Sequence, residues 1–407
     1  MKGERVVRPP AAGADGADGA DGANGLPGIL LSGPSGYARL PGTAVRRERL
    51  RPWGCGGREQ GCAVSNPPKV NTMRLLVIGG TQFVGRHAVE QAVERGHVVT
   101  VFHRGRSEPG NGFPDIEHVH GDRDGDLSAL KGRAWDAALD TCGYVPRVVR
   151  QSTRDPGIAA AHYTFVSSLS VYPDDVEEGA TEATPTHGPP FPDSEEVTDE
   201  NYGPLKVACE MEAQDAFPGR ALIVRPGFIV GPHDRGDRFP YWVRRSAMGG
   251  EMLAPEPADL RVQLVDVRDL AAFMLDRAEA GTDGVFNVTG PEGVLTMRDL
   301  LGACVAAGDA DTDTIWVGQD FLRERGLRNV GEHGSEQLPY WYPDLAGFCA
   351  FDVSKAVGSG LRFRPLAETI ADTLAWDRTR GQTWPIGAGI TPEQERDLLK
   401  AWRNANE

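Results

Sequence analysis

Residues 74–103 read RLLVIGGTQFVGRHAVEQAVERGHVVTVFH, and this stretch decides the fold. It begins with a short apolar run at 75–78, followed by two glycines and by apolar residues at helical spacing that end at Gly96. A β-branched run follows at 98–102. The order of strand, glycine turn, helix and strand is typical of a parallel βαβ unit in a sheet that is covered on both faces.

Strand patterns recur beyond this unit. We predict further strands at 116–120, 135–140, 162–168 and 221–230, with helical patterns between most of them. This alternation predicts an α/β fold with a doubly wound parallel sheet, in which ligands bind outside the carboxyl ends of the strands. After residue 230 the pattern loosens into shorter helices and strands, which predict a smaller C-terminal α/β lobe for the substrate.

Composition and pattern together divide the chain into four predicted regions. These are a disordered low-complexity tail at 1–72, a Rossmann-like NAD(P)-binding domain at 73–230, a substrate-binding lobe at 231–380 that is interleaved with it, and a C-terminal helical extension at 381–407. Glycine occupies every third position from Gly13 to Gly28, but the prolines that would stiffen a collagen triple helix are missing.

The net charge of the 407 residues is −15, and it is unevenly distributed: residues 1–72 carry +4 and the rest carry −19. Such an acidic body repels phosphates, so general binding to nucleic acid is not expected. The sequence contains no apolar run long enough to span a bilayer, and no apolar signal segment follows its first residues. We therefore predict a cytoplasmic protein with a small-molecule substrate and no membrane partner; a homodimer is compatible with this prediction.

The glycine turn at 79–85 predicts a site for a dinucleotide cofactor. Glycines let the backbone approach a pyrophosphate, and the following helix N-terminus offers unpaired N–H groups and the positive end of a dipole. The position of the turn between the first strand and a helix distinguishes it from an ordinary loop. The residues predicted to bind the cofactor here are Gly79, Gly80, Thr81, Gln82, Phe83, Val84 and Gly85.

The end of the second strand bears on the choice of cofactor. In NAD-binding sheets this place holds Asp or Glu, which accepts a hydrogen bond from the adenine ribose. Here it holds His103, Arg104 and Arg106. Two guanidinium groups can bind a phosphate, so NADP is favoured over NAD. The alternative is that Arg104 and Arg106 are solvated charges of a loop.

Tyr202 and Lys206 are four residues apart, which places them on one face if a helix begins there. A nearby ammonium favours the phenolate, so the tyrosine could act as a general acid or base for a hydroxyl or carbonyl group. Such pairs also arise by chance. The supporting context is Ser168, which ends a predicted strand at the carboxyl edge of the sheet and could bind the same substrate oxygen.

Together these residues resemble the extended, atypical short-chain dehydrogenase/reductase family, in particular its NAD-dependent epimerase/dehydratase branch. The resemblance covers approximately residues 74–380. Besides the glycine turn and the Tyr202/Lys206 pair, it includes Gly121-Asp122-Arg123, Glu210, Arg225-Pro226-Gly227, residues 267–271, and the C-terminal segments 352–355 and 360–365.

The resemblance implies an NAD(P)-dependent oxidoreductase or epimerase that transfers hydride at a sugar-like or nucleotide-sugar carbinol or carbonyl. It implies that Tyr202 is the acid/base, that Lys206 holds the nicotinamide ribose and lowers the pKa of Tyr202, and that Ser168 orients the substrate oxygen. It further implies cofactor contacts at Asp122 and Arg123 near the adenine, at Asp140, Thr141 and Cys142 after the fourth strand, and at Pro226 beside the nicotinamide.

Three places depart from the family pattern. Gln82 replaces the middle glycine of the turn, Leu169 and Ser170 stand where dehydratases carry Asp and Glu, and Phe228 replaces an asparagine. Without the acidic pair, the dehydratase mechanism lacks the groups that eliminate water. Recognition of a substrate pyrophosphate would then depend on Arg235, Arg238, Arg261 or Arg268.

Two other kinds of function stay open. Some plant relatives with this atypical turn look like RNA-binding proteins, and the arginine-rich segment 46–58 could bind nucleic acid, although the acidic body argues against it. A cofactor-sensing protein without catalysis is the second alternative. No metal site is predicted: His118, His120 and Asp122 alternate along one strand and could chelate an ion, but no catalytic constellation accompanies them.

Overall fold

The computed structural model describes residues 72–106, 113, 116–154, 158–189, 195–327, 337–381 and 386–407. All but the last residue of the tail predicted at 1–72 lies outside the described residues. Within the described ranges, no helix combines the length and the apolar character that crossing a bilayer requires.

Strands and helices alternate along the chain. The strands are β1 Arg74–Ile78, β2 Val98–His103, β3 Glu117–His120, β4 Ala134–Asp140, β5 Ala159–Val166, β6 Ala221–Pro226, β7 Phe228–Val230, β8 Gly250–Pro255, β9 Leu264–Asp266, β10 Gly284–Val288 and β11 Thr312–Val317. The helices are α1 Phe83–Glu94, α2 Pro146–Arg154, α3 Tyr202–Ala216, α4 Arg238–Ser246, α5 Val267–Glu279, α6 Met297–Ala307, α7 Gln319–Glu324, α8 Ser354–Gly358, α9 Leu366–Thr379 and α10 Pro392–Asn406.

Seven strands form the central sheet, in the order β10-β6-β5-β4-β1-β2-β3, and each runs parallel to its neighbours. The strand order reverses between β1 and β4. In doubly wound sheets a ligand cleft forms outside the carboxyl ends of the strands at such a point. The predicted α/β class with a doubly wound parallel sheet is therefore confirmed.

Side chains of the sheet alternate between two apolar cores. In β1, Leu75 and Val77 join the core beneath α1 and α5, whereas Leu76 and Ile78 join the core beneath α2 and α3. Burial of apolar surface contributes about 25 cal/mol per Å², so helices on both faces stabilise the sheet. The strand ends that carry the site are held in place by this packing.

The strand predicted at 221–230 is interrupted. β6 pairs with β5 and β10 in the central sheet, while β7 pairs with β9 outside it. The break falls at Gly227, where a Cβ atom would collide with the side chain of Thr289. The chain leaves the central sheet at this residue and enters the C-terminal part.

The C-terminal part has an apolar core of its own. Helices α4, α6, α9 and α10 surround the two-stranded sheet of β8 and β11, and Trp242 and Trp341 are buried among them. A buried ion pair between Arg245 and Glu395, 2.6 Å apart, ties α10 to α4. This packing sets the position of the loop between β7 and α4, which borders the site described next.

Candidate active site

Two cavities meet at the carboxyl ends of the central strands. The first, which we term the glycine-turn cavity, has a volume of about 540 Å³ and is lined by the turn at 79–85, the end of β2 and the loop after β3. The second, the tyrosine cavity, has a volume of about 430 Å³ and is lined by the end of β5, the start of α3 and the loop before α4. The two cavities share Phe83, Val84, Thr141 and Tyr144, so ligands in them could touch.

The glycine turn presents a helix N-terminus to the first cavity. Gly79 has a φ of +86°, which favours glycine, and a Cβ atom on Gly85 would lie only 2.5 Å from the Gly79 carbonyl oxygen. α1 begins at Phe83; its N-cap Gln82 makes no side-chain hydrogen bond, and its first turn carries no acidic residue. Backbone N–H groups and the positive dipole end are therefore offered to an anion without a competing carboxylate.

Gly80 is the one predicted turn residue that does not line this cavity. It is buried, and a Cβ atom there would lie 2.9–3.1 Å from the side chains of Val77, Val89 and Val101. The cofactor contact at Gly80 stays a prediction that this cavity lining does not support. Its lack of a side chain serves the close packing of α1 on β1 and β2.

Asp140 was predicted to line the cofactor site, but it is fully buried below the glycine-turn cavity. Arg123 donates two hydrogen bonds to its carboxylate, at 2.5 and 2.7 Å, and the Tyr163 hydroxyl donates another at 2.7 Å. Burial alone would raise the pKa of Asp140, but the charge and hydrogen bonds of Arg123 lower it below its ordinary value. Asp140 thus anchors Arg123, which lines the cavity with Thr141 and Cys142.

The far end of the glycine-turn cavity carries histidines and arginines. The Gly105 N–H donates to Nδ1 of His103 at 3.1 Å, so neutral His103 holds its proton on Nε2 and donates to Nδ1 of His118 at 2.9 Å. Arg104 and Arg106 are exposed and have no ion-pair or hydrogen-bond partner in the part of the chain that the structure describes. Their guanidinium groups can therefore bind an anion in this cavity.

The remaining predicted cofactor contacts are divided between the cavities. Asp122 lines the glycine-turn cavity, and its carboxylate accepts a hydrogen bond from Asp124 N at 3.1 Å. The Thr141 hydroxyl, at the junction, donates to the Ile78 carbonyl at 2.9 Å. Pro226, at the end of β6, lines the tyrosine cavity. Among the described residues, no three potential metal ligands lie close enough to hold an ion.

The structure brings Tyr202, Lys206 and Ser168 together around the tyrosine cavity. Tyr202 is the first residue of α3 and Lys206 lies one turn later, while Ser168 follows β5 and caps a short 3-10 helix, Leu169–Val171. The Ser168 hydroxyl accepts a hydrogen bond from Ser170 N at 3.1 Å, which fixes its oxygen at the cavity wall.

Lys206 is held at the bottom of the tyrosine cavity. Its Nζ donates to the carbonyl oxygens of Gly143 and Val166, both at 2.7 Å, and lies 4.4 Å from the centre of the Phe165 ring. Burial lowers the pKa of Lys206 to about 8. The two carbonyl acceptors account for two of the three ammonium protons and leave one for a ligand.

The pKa of Tyr202 is raised, chiefly because the phenol is buried. A hydrogen bond with Ser168 and the positive charge of Arg238 act in the opposite direction but do not outweigh burial. Lys206, which was predicted to lower this pKa, is not among the groups that shift it; its ammonium donates to backbone carbonyls instead. Tyr202 is therefore a protonated phenol at neutral pH.

No model of a known protein family matches the chain. A curated relative, the chloroplast stem-loop binding protein of 41 kDa b of Arabidopsis thaliana, is 27% identical over 261 residues. That match covers 58% of this chain and 63% of the relative, which is less than two thirds of the relative's length.

Solved structures match over a larger share of the chain. UDP-glucose 4-epimerase of Thermotoga maritima, determined with UDP-glucose, has a TM-score of 0.56 and 17% identity over 76% of this chain and 100% of its own. UDP-glucuronic acid 4-epimerase of Bacillus cereus, in complex with NAD, has a TM-score of 0.53 and 14% identity, again over 76% of this chain and 100% of its own. This chain shares the fold of these epimerases. The resemblance seen in the sequence is thereby confirmed at the level of the fold.

Two side chains of the site were missed by the sequence prediction. Tyr144 lies at the junction of the cavities, with its ring centre 5.4 Å from Lys206 Nζ. Asp234 lies in the loop between β7 and α4 and is buried at the wall of the tyrosine cavity. No local pattern marks either residue, because both are brought to the site by the packing of distant elements.

Of the four arginines considered for a substrate pyrophosphate, Arg238 alone lines the described walls of the tyrosine cavity. Its guanidinium lies 5.1 Å from the centre of the Phe228 ring. Arg261 is instead paired with Glu178, Arg268 with Asp266 and Asp372, and Arg235 is exposed outside the lining. Phe228, which replaces the family's asparagine, thus supports the one arginine that faces this cavity.

Buried polar groups connect α3 to β5 and β6 behind the cavity. Arg225 donates two hydrogen bonds to Glu210, at 2.9 and 2.7 Å, and the Ser167 hydroxyl donates to the same carboxylate at 2.5 Å. Glu210 lies one helical turn after Lys206, and Ser167 precedes Ser168. The ion pair therefore fixes the helix that carries the tyrosine relative to the strand that carries the serine.

Proposed function

We propose that this chain is an NAD(P)-dependent oxidoreductase or epimerase that transfers hydride at the carbinol or carbonyl carbon of a sugar-like or nucleotide-sugar substrate, with Tyr202 as acid/base. One observation carries the proposal: a helix N-terminus suited to a pyrophosphate lines a cavity that joins the one holding Tyr202, Lys206 and Ser168. Proteins of the same fold determined with UDP-glucose and with NAD support this class of reaction.

The residues of the tyrosine cavity would handle the proton. A nicotinamide dinucleotide, when bound, supplies the hydride chemistry. In reduction, the carbonyl carbon gains hydride and its oxygen takes the phenolic proton of Tyr202; in oxidation, the hydroxyl proton returns to Tyr202 as hydride leaves. Ser168 would hold the substrate oxygen, and Lys206 would bind ribose hydroxyls with its remaining proton. Tyr202 is protonated at neutral pH and can donate this proton to a carbonyl oxygen.

We further propose that NADP is preferred over NAD. The support is the pair of exposed guanidinium groups of Arg104 and Arg106 at the end of β2, where the sequence has no carboxylate. The solved neighbours described with a nicotinamide cofactor hold NAD or NAD⁺, so the preference depends on these two residues alone.

Replacing Arg104 and Arg106 by alanine tests this preference. A hydrogen bond to a charged group contributes about 1.5–3 kcal/mol, so each substitution should weaken NADPH binding by roughly 10- to 100-fold and leave NADH binding nearly unchanged. Dissociation constants from calorimetry measure the effect. Arg396→Ala, an exposed arginine on α10, is the matched control and should bind both cofactors as the wild type does. Tighter binding of NADH than of NADPH by the wild type would refute the preference.

The reaction is tested with the full-length protein, NAD⁺ or NADP⁺, and a panel of UDP-, GDP- and dTDP-sugars. Reduced nicotinamide is followed by absorbance, and sugar products are identified by NMR. Recovery of an epimer without net reduction would identify an epimerase, whereas a keto-sugar would identify a dehydrogenase. If no nicotinamide is reduced and every sugar is recovered unchanged, the proposal fails.

A second candidate function is the binding of RNA stem-loops. It is favoured by one observation, the name of the curated relative that is 27% identical to this chain. The charge of −19 outside residues 1–72 opposes it. Retention of a labelled stem-loop RNA at low salt, its loss at high salt, and no affinity for a nicotinamide dinucleotide would favour this candidate over the enzyme.

A further inference from the structure

His103 shapes the loop that carries Arg104 and Arg106. It is the last residue of β2 and is 7% exposed. Its Nδ1 accepts a hydrogen bond from the N–H of Gly105 at 3.1 Å, two residues further along the chain. Gly105 stands between the two arginines with a φ of +71°, in the left-handed region, and both arginines line the glycine-turn cavity. The hydrogen bond therefore holds the backbone turn from which both arginines extend.

Both ring nitrogens of His103 are engaged within the protein. Because a backbone N–H can only donate, Nδ1 is the acceptor and the proton of the neutral ring lies on Nε2. Nε2 donates to Nδ1 of His118 at 2.9 Å, and Nε2 of His118 donates to the carbonyl oxygen of Phe113 at 3.4 Å. One assignment of protons satisfies all three hydrogen bonds. In this arrangement neither ring nitrogen is left for a phosphate, so any effect of His103 on a cofactor phosphate passes through the loop.

His120 supports the same turn from the neighbouring strand. It stands opposite His103 in the parallel pairing of β2 with β3, and the two rings meet edge to face with their centres 4.8 Å apart. Gly105 lies against the His120 ring, because a Cβ atom on Gly105 would be 3.7 Å from its Cδ2 and Nε2. The turn between the two arginines is therefore supported by two strands of the central sheet.

We propose that His103 is a positioning residue for cofactor selectivity. Its Nδ1 holds the N–H of Gly105 and thereby keeps Arg104 and Arg106 where their guanidinium groups bind the phosphate on the adenine ribose of NADP. Ordering a loop and its side chains on binding costs free energy, so a loop that is already ordered binds the phosphate more tightly. NAD lacks this phosphate, so its affinity does not depend on the turn. This inference rests on the proposed preference for NADP and deepens it.

Two amide substitutions separate this role from a purely structural one. His103→Asn keeps an acceptor for the N–H of Gly105, because an asparagine side chain bonds the backbone two residues further on in the same way. His103→Gln carries its amide one carbon further out, where it can replace Nε2 toward His118 but not Nδ1 toward Gly105. The matched control is His162→Gln: His162 is buried in β5, bonds the Thr282 carbonyl at 2.8 Å and lines neither cavity.

The readout is the ratio of the dissociation constants of NAD⁺ and NADP⁺, measured by calorimetry on the full-length variants. The net contribution of one hydrogen bond predicts that His103→Gln binds NADP⁺ roughly 3- to 10-fold more weakly than the wild type, with unchanged affinity for NAD⁺. His103→Asn and His162→Gln should keep the wild-type ratio within about twofold. Selectivity retained by Asn and lost by Gln would identify the acceptor at the position of Nδ1 as the determinant.

The inference is overturned if His103→Gln keeps the wild-type ratio, or if His103→Asn and His103→Gln lose selectivity equally. A purely structural role would weaken NAD⁺ and NADP⁺ alike in His103→Gln, and this outcome also counts against the inference. Failure of the proposed function is distinguishable because it appears in the wild type itself. A wild type that binds both cofactors without preferring NADP⁺ refutes the preference and this inference with it, and one that binds neither refutes the proposed function as well.

Discussion

Replacing Tyr202 by phenylalanine is expected to lower kcat by roughly 10²- to 10⁴-fold, the range that general acid–base catalysis contributes. The substitution removes one hydroxyl group from the first residue of α3 and leaves its ring in place. In the wild type Tyr202 lines the tyrosine cavity together with Ser168. Without it, the substrate oxygen loses the phenol proposed as its acid/base, so the loss should fall on kcat and not on KM.

Two comparisons make this expectation specific. Tyr241→Phe removes a phenolic hydroxyl from the core of the C-terminal part, away from both cavities, and should leave kcat unchanged. Calorimetry should give the same cofactor dissociation constant for Tyr202→Phe and the wild type. A Tyr202→Phe variant that retains full kcat would show that the phenol is not the acid/base.

Replacing Arg123 by methionine is expected to lower the free energy of unfolding by about 3–5 kcal/mol, the cost of breaking a buried ion pair by removing one partner. Asp140 has no exposed surface, and Arg123 supplies its countercharge through two hydrogen bonds. The variant would leave a carboxylate buried at the end of β4 with the Tyr163 hydroxyl as its main remaining donor.

Urea unfolding of the ligand-free protein measures this loss. Arg74→Met is the matched control, because the Arg74–Asp136 pair is about half exposed and should contribute little to the free energy of unfolding. The pKa of Asp140 is lowered in the folded protein, so its stabilising contribution is present at neutral pH and declines in acid. The difference in the free energy of unfolding between Arg123→Met and the wild type should therefore become smaller as the pH falls. If Arg123→Met and Arg74→Met lose the same free energy of unfolding at pH 7, a structural role for the buried pair is contradicted.

Much of the fold could be predicted because its signals are local. The apolar run at 75–78, the glycine turn and the helical spacing up to Gly96 lie within one βαβ unit, whose geometry follows from sequence order. Tyr202 and Lys206 were found for the same reason, since a spacing of four residues specifies one helical face. Predicting Ser168 required one further argument, namely that the carboxyl ends of parallel strands lie at the same edge of the sheet.

The structure departs from the sequence expectations, or adds to them, where tertiary packing decides a residue's surroundings. Asp140 ends a strand, as a cofactor ligand would, but Arg123 and Tyr163 reach it from other segments and bury it. Gly80 is adjacent to a residue of the cavity wall, yet three valines from three elements surround it. Asp234 was missed because its place at the wall of the tyrosine cavity exists only in the folded chain.

Hydride transfer dependent on Tyr202 is tested most directly by stopped-flow absorbance of reduced nicotinamide. Full-length protein with NADP⁺ or NAD⁺ is mixed with each nucleotide sugar of the panel, and Tyr202→Phe is run beside the wild type. We expect the wild type to produce reduced nicotinamide with at least one sugar, and Tyr202→Phe to produce it at least a hundredfold more slowly at equal cofactor saturation. The contradicting result is a wild type that binds no nicotinamide dinucleotide, or that binds one and reduces it with none of the sugars.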